Sequence, residues 1–302
     1  MATEQKIVPC IWFNKDADEA VAFYLSAFGD SAECAELVRS HYPNEGLADF
    51  QSDMAGEPLT IEFSLGGVRL TALNAGSEFR PTPMLSFIVN FDPSRDKHAA
   101  ENIDAVWERL SDGGKVLIEI GAQPYSPRYG WVEDKYGVSW QLMLTDPDGD
   151  PRPFLIPTFL FANANANRAS EAVEFYTSLF PDSRIGMLAR NPEANEDAAA
   201  GSLMFGEFAV GEQWFAAMDA PRPQDYDFTE GVSLQVECAD QLEIDRVWGE
   251  LSRVPEAEQC GWCKDQFGVS WQVVPANMDQ LMTPENWAKM MRMGKIEIAE
   301  FS

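Results

Sequence analysis

The sequence predicts an α+β protein made of two tandem copies of one domain, each copy holding two β-α-β-β-β modules. Three observations predict it. Residues 129–141, YGWVEDKYGVSWQ, and residues 260–272, CGWCKDQFGVSWQ, agree at eight of thirteen positions. The motifs upstream of them return in the same order: VPCIWFNKDADEAVAFYLSAFGDS from Val8 parallels IPTFLFANANANRASEAVEFYTSLFPDS from Ile156, TPMLSFIVNF parallels TEGVSLQVEC, and DAVWERLS parallels DRVWGELS. Self-similarity of this kind marks a duplicated fold. Within each copy, short apolar runs alternate with segments whose apolar residues recur every three or four positions, the signature of strands interleaved with helices.

The elements follow in order. Residues 7–13 form a short apolar run of strand type. Residues 16–28 read as a helix on Ala20, Phe23, Tyr24 and Ala27, with Asp16 or Asp18 to cap it and Gly29 to stop it. Residues 59–65 and 68–73 flank Gly66 and Gly67, a pair suited to a hairpin turn. Residues 84–91 are a strand, residues 99–110 a helix ended near Gly113 and Gly114, and residues 131–144 a hairpin. The turn of that hairpin uses Asp134 to bond the backbone and Gly137 for positive φ. The seam between the copies, TDPDGDPRP, reads as a linker. The expected division is a first domain at 1–147, a linker at 148–153, a second domain at 154–278 and a C-terminal helical extension at 279–302. In that extension Thr283 can cap a helix, Pro284 suits its first position, and Trp287, Met290 and Met291 give it an apolar face for its own domain or a partner subunit.

Charge and composition exclude several functions. The chain carries 49 acidic and 22 basic residues, a net charge of −27, and no basic run. Nucleic acid and anionic membrane are therefore not expected partners. No apolar stretch approaches the ~20 residues of a membrane helix. The first ten residues show no secretory signal, and five cysteines, an odd number, read as reduced thiols, so a cytoplasmic location is expected. Cys260 and Cys263 read as unrelated thiols, because the first copy has Tyr129 and Val132 at those places and a strand turns positions three apart to opposite faces. Trp131, Trp140, Trp262 and Trp271 read as core residues, with stacking on a planar ligand as the rival role.

The pattern E-A-V-x-F-Y-x-x-x-F-x-D-S, the strand ending T-A-L-N at Asn74, and G-W-x-x-D-x-x-G-V-S-W-Q together resemble the PhnB-like branch of the vicinal oxygen chelate (VOC) superfamily. This glyoxalase/bleomycin-resistance/dioxygenase superfamily implies cupped mixed β-sheets with flanking helices. The branch also carries the label 3-demethylubiquinone-9 3-methyltransferase. Metal-dependent members hold a divalent ion with His, Gln and Glu on the first, fourth or fifth, and eighth strands, leaving open positions for paired substrate oxygens. Carried over, those positions fall on Pro9, Met84, Thr71 and Gln141, and in the second copy on Pro157, Gly231, about Ala216 and Gln272. Such a set does not hold a transition metal, and His41 and His98 lie outside it.

Strand alternation from Gln141 and Gln272 then gives the expected lining. One cup would hold Pro9, Ile11, Met84, Ser86, Ser139 and Gln141, and the other Pro157, Phe159, Gly231, Ser233, Ser270 and Gln272. That is the make-up of a small-molecule pocket. No catalytic residue, metal or cofactor is expected. The sequence thus reads as a metal-free binder of an unidentified small molecule, its halves paired as an internal pseudo-dimer, with a homodimer also open. Two alternatives stand beside it. One is an enzyme, either a glyoxalase-type metal-dependent lyase or isomerase or the methyltransferase of the label. The other is an antibiotic-sequestering protein of bleomycin-resistance type, which an acidic, aromatic-lined groove would favour.

Overall fold

A computed structural model describes residues 5–47, 49–194 and 198–301; the first four residues, part of the segment in which no secretory signal is expected, lie outside it, as does the last residue of the extension. The first module is β1 (Ile7–Asn14), α1 (Ala17–Phe28), β2 (Cys34–His41), β3 (Pro58–Leu65) and β4 (Val68–Ala75). The second is β5 (Leu85–Phe91), α2 (Ala99–Ser111), β6 (Lys115–Gln123), β7 (Ser126–Glu133) and β8 (Ser139–Leu144). The third is β9 (Leu155–Phe161), α3 (Ala169–Leu179), β10 (Ser183–Arg190), β11 (Leu203–Val210) and β12 (Gln213–Asp219). The fourth is β13 (Val232–Cys238), α4 (Gln241–Leu251), β14 (Trp262–Lys264) and β15 (Ser270–Pro275), with a 3-10 turn, Pro255–Ala257, where the second module has β6. The extension adds α5 (Met278–Leu281) and α6 (Pro284–Met290). Among the described residues, no helix is long and apolar enough to cross a membrane.

The strands form a seven-stranded sheet, β14-β15-β13-β1-β4-β3-β2, and an eight-stranded sheet, β10-β11-β12-β9-β5-β8-β7-β6. Each sheet joins one module from each half. β1 runs antiparallel to β13 with Cys10 opposite Ser233, and β5 runs antiparallel to β9 with Ser86 opposite Thr158. The β1–β4, β9–β12, β5–β8 and β13–β15 pairs are parallel, as strands separated by a crossover must be. The halves therefore interlock, and the boundary between repeats is not a boundary between sheets.

One face of each sheet carries helices. Tyr24 and Phe28 of α1, with Phe87, Trp140 and Phe63, are buried there, as are Tyr176, Phe159, Phe208 and Trp271 around α3. The repeated hairpin holds each helix down through one aspartate. Asp134 Oδ1 accepts the amides of Tyr136 and Val138 at 2.8 and 3.0 Å, while Oδ2 accepts the Tyr24 hydroxyl and the Trp140 indole, both at 2.8 Å. Asp265 repeats the pattern with Phe267, Val269, Tyr176 and Trp271. Trp140 and Trp271 thus belong to the core. The glycine pair does turn the β3–β4 hairpin, with φ of +57° at Gly66 and +84° at Gly67. A Cβ at Gly66 would lie 2.5 Å from the Phe154 ring, so the residue that leads into β9 packs where only glycine fits. Thr283 caps α6 by accepting the Asn286 amide at 3.2 Å. The apolar face of α6 docks on the first half: Trp287 meets Tyr42 edge-on at 5.7 Å, in a small cluster with Met54.

Candidate functional site

The second face of each sheet is a cup, and the two cups differ. At the floor of the first, β1, β4, β13 and β15 bring Cys10, Thr71, Ser233 and Gln272 together. Gln272 Nε2 donates to Ser233 Oγ at 2.9 Å. The Cys10 thiol lies beside both, and burial pushes it up to about 11, so it stays protonated at neutral pH. The Thr71 side chain is 3% exposed, and its hydroxyl has no hydrogen-bond partner. Glu62, on β3 opposite Thr71, is paired with Arg69 at 3.4 Å, and Arg69 also reaches Glu237 at 2.6 Å. Above the floor is a cavity of about 930 Å³. Trp12, Phe79 and Trp262 make one wall, with Phe79 and Trp262 each meeting the Trp12 ring edge-on at 5.0 and 6.1 Å, and the Trp12 indole is fixed by donating to the Gly76 carbonyl at 2.7 Å. Tyr42, Met54, Trp287, Met282, Met290 and Met291 make the opposite wall, and Glu78, Glu256 and Asp279 stand at the mouth.

The other cup is filled. Gln141 Nε2 donates to Ser86 Oγ at 2.9 Å, and Gln141 Oε1 accepts the Tyr129 hydroxyl at 2.6 Å, so both ends of the amide are spent. The Thr158 hydroxyl donates to the Ile156 carbonyl at 3.0 Å. Ile88, Ile156 and Ala216 are buried against Met143, Phe205 and Trp214. Glu207, 4% exposed, accepts both Arg152 Nε at 2.7 Å and Nη2 at 3.2 Å. In the repeat register Gln235 stands for Ile88, Thr71 for Ala216, Thr60 for Phe205, Arg69 for Trp214 and Cys260 for Tyr129. Apolar or aromatic groups in the filled cup thus become polar or smaller ones in the open cup.

The difference in length explains Cys260. Seventeen residues, 112–128, separate α2 from Tyr129 and build the β6–β7 hairpin that carries its ring over Gln141; only residues 252–259 separate α4 from Cys260. The C-terminal extension takes the vacated place. The Cys260 and Gly261 amides donate to the Met293 and Gly294 carbonyls at 2.8 and 2.7 Å, and Cys260 Sγ lies 3.7 Å from Met291 Sδ. Cys263 is buried in the core, so the two thiols belong to different environments.

The structure regroups the expected lining. Ser233 and Gln272 reach the open cup, while Ser86 and Gln141 meet in the filled one; Pro9, Ile11 and Met84 join neither pair. The parity expected for β1 and β9 is off by one residue, which turns every side chain to the other face. Ile11 is in the helix-side core, and Cys10 and Trp12 face the cup instead. Phe159 stacks on Tyr176 at 5.4 Å on the helix side, and Thr158 takes the cup position. Pro9 and Pro157 share the parity of Ile11 and Phe159. Met84 is buried in the core, its carbonyl accepting the Leu160 amide at 2.7 Å. Gly231 serves through its backbone: its carbonyl accepts the Trp12 amide at 2.9 Å, and the Arg80 backbone occupies the space of a side chain. Ser139 Oγ accepts the Trp131 indole at 2.7 Å, and the buried Ser270 hydroxyl is unpartnered. Sequence reasoning missed Cys10, Trp12 and Gln235 and the wall supplied by the extension; the Cys260-for-Tyr129 exchange was the available signal.

A protonated thiol, two hydroxyls and an amide do not supply the anionic or imidazole donors that a divalent transition metal needs, and of the other lining residues Glu62 is held by Arg69 while His41 forms no metal-binding group with it. Among the described residues, no three His, Cys, Asp or Glu side chains converge as a metal-binding group.

Comparison with known proteins adds the following. The family described as 3-demethylubiquinone-9 3-methyltransferase matches residues 5–143 and 154–274. A PhnB protein from Bacillus cereus, described with the same activity, is 31% identical over 47% of this chain and 100% of its own, with a TM-score of 0.39. A mutant of glyoxalase I from Zea mays aligns over 91% of this chain and 96% of its own at 14% identity, with a TM-score of 0.52, a likeness of fold. A glyoxalase-related enzyme from Fulvimarina pelagi is 19% identical over 52% of this chain and 99% of its own, with a TM-score of 0.33. No curated protein matches the chain.

Proposed function

We propose a function from the premise that this chain belongs to the 3-demethylubiquinone-9 3-methyltransferase (PhnB-like) family of the VOC superfamily: it binds one small organic molecule, without metal, in the open cup. The observation that carries the reading is the contrast between the cups. Gln141 is satisfied at both ends and sealed by Tyr129, whereas Gln272 lines a cavity of about 930 Å³ that is also lined by Thr71, whose hydroxyl is unpartnered. That volume, apolar walls and a few converging polar groups are the features of a ligand pocket. The acidic mouth and the Trp12–Phe79–Trp262 wall favour sequestration of a drug-like molecule as the second reading. The reduced cysteines suit a cytoplasmic setting.

The paired glutamines supply the test. Gln272→Leu is expected to weaken the binding of whatever small molecule native mass spectrometry finds on the purified protein by about 1–3 kcal/mol, roughly 5- to 160-fold. Gln141→Leu strands the Tyr129 hydroxyl and is expected to lower the melting temperature while leaving that affinity unchanged. Equal affinity in the parent and Gln272→Leu would sink the assignment.

A further inference from the structure

The Thr71 hydroxyl has a cost that the folded chain alone does not repay. It is on β4, 3% exposed, opposite Cys10 on one side and Glu62 on the other, and no protein group bonds it. A buried hydroxyl without a partner destabilises a fold relative to a methyl of the same shape. The filled cup shows the alternative, since the same register position there is Ala216. Two other residues that line the cavity also hold a buried polar atom without a partner: Trp287, 6% exposed, its indole N–H, and Gln51 its Oε1.

Three lining residues with an unpaired buried atom bear on the molecule this cavity would take. Trp12, Trp262 and the methionines of α6 and its neighbours offer large flat or adaptable apolar surface, suited to a planar body. Thr71 both donates and accepts, and the Gln272 amide in the lining of the same cavity does the same, so the floor fits a neutral hydroxyl or carbonyl. An anionic head is disfavoured, because Glu62 stands next to Thr71, and Glu78, Glu256 and Asp279 ring the mouth.

We propose that Thr71 is a ligand-binding residue of the open cup, and that the ligand is a neutral, flat aromatic molecule whose hydroxyl or carbonyl head meets Thr71 while its body lies between the tryptophan and methionine walls. This rests on the open cup being the binding site.

The test uses 2-naphthol, naphthalene and 2-naphthoate on the full-length protein and on Thr71→Val, which keeps shape and removes only the hydroxyl. Binding is followed by the NMR signals of the tryptophan indoles. In the parent, 2-naphthol is expected to bind about tenfold or more tightly than naphthalene, and 2-naphthoate more weakly than 2-naphthol. In Thr71→Val that tenfold preference is expected to vanish while the melting temperature rises. A structural role for the hydroxyl would instead lower the melting temperature. If 2-naphthol and naphthalene bind equally and both shift Trp12 and Trp262, the cup remains a site and the role of Thr71 is refuted. If 2-naphthoate binds best, the neutral head is refuted in the same way. If none of the three shifts those tryptophans, the open-cup reading falls and the Thr71 proposal with it.

Discussion

Replacing Asp134 or Asp265 by alanine is expected to lower the stability of the fold by about 3–5 kcal/mol, near the top of the range for single substitutions. Each carboxylate is the joint between a helix and a hairpin. Its loss leaves two backbone amides, a tyrosine hydroxyl and a tryptophan indole without an acceptor in a buried place. The pH dependence carries a distinct sign. Burial raises both carboxyls to about 6, against hydrogen bonds that lower them. With the folded value above the unfolded one, the folded state holds the proton more tightly. The contribution is full at low pH and is lost as pH rises from about 4 to about 6. Urea unfolding at several pH values checks both points. Asp134→Asn and Asp265→Asn should each remove part of that slope, and a slope unchanged in the double variant would refute the assignment.

Removing Arg152 is expected to cost about 3–5 kcal/mol as well, for a different reason. Its guanidinium holds Glu207 by two bonds, and the Glu207 side chain is only 5% exposed. Arg152→Met strands a buried carboxylate, the situation in which breaking an ion pair is most destabilising. Replacing both partners, as Arg152→Met with Glu207→Leu, should recover most of the loss, since a buried pair exchanged for apolar groups is often neutral. Thermal and urea unfolding of the single and double variants measure this. A double variant as unstable as Arg152→Met alone would show that the pair does more than satisfy its own charges.

Particular residues show what was legible in the sequence. The order of modules was legible because G-W-x-x-D-x-x-G-V-S-W-Q fixes a hairpin with its own hydrogen bonds, and Asp134 and Gly137 do what that local chemistry demands. The parity of β8 and β15 was legible because serine and glutamine alternate there with Val138, Trp140 and Leu142 or their counterparts. β1 and β9 gave no such signal. Both read as nearly continuous apolar runs, IVPCIWF and LIPTFLF, because both faces are covered. Counting from a distant motif then slipped by one residue. The pairing of β1 with β13 was not legible either, since nothing within β1 encodes which half supplies its neighbour. Nor did the sequence show that α6 would cross to Tyr42 and Met54 of the first half. Its apolar face says that it docks, but not where.

Duplication left one open cup and one filled cup. Tryptophans stand on both: Trp12, Trp262 and Trp287 around the open one, Trp131 and Trp214 on the filled one. The most direct measurement is therefore an NMR titration of the full-length protein, its indole signals assigned by single Trp→Phe variants, with naphthalene and 2-naphthol in turn. Saturable shifts are expected at Trp12, Trp262 and Trp287, with Trp131 and Trp214 unmoved. Shifts at Trp131 and Trp214, or no shift at the first three with either compound, would contradict that division.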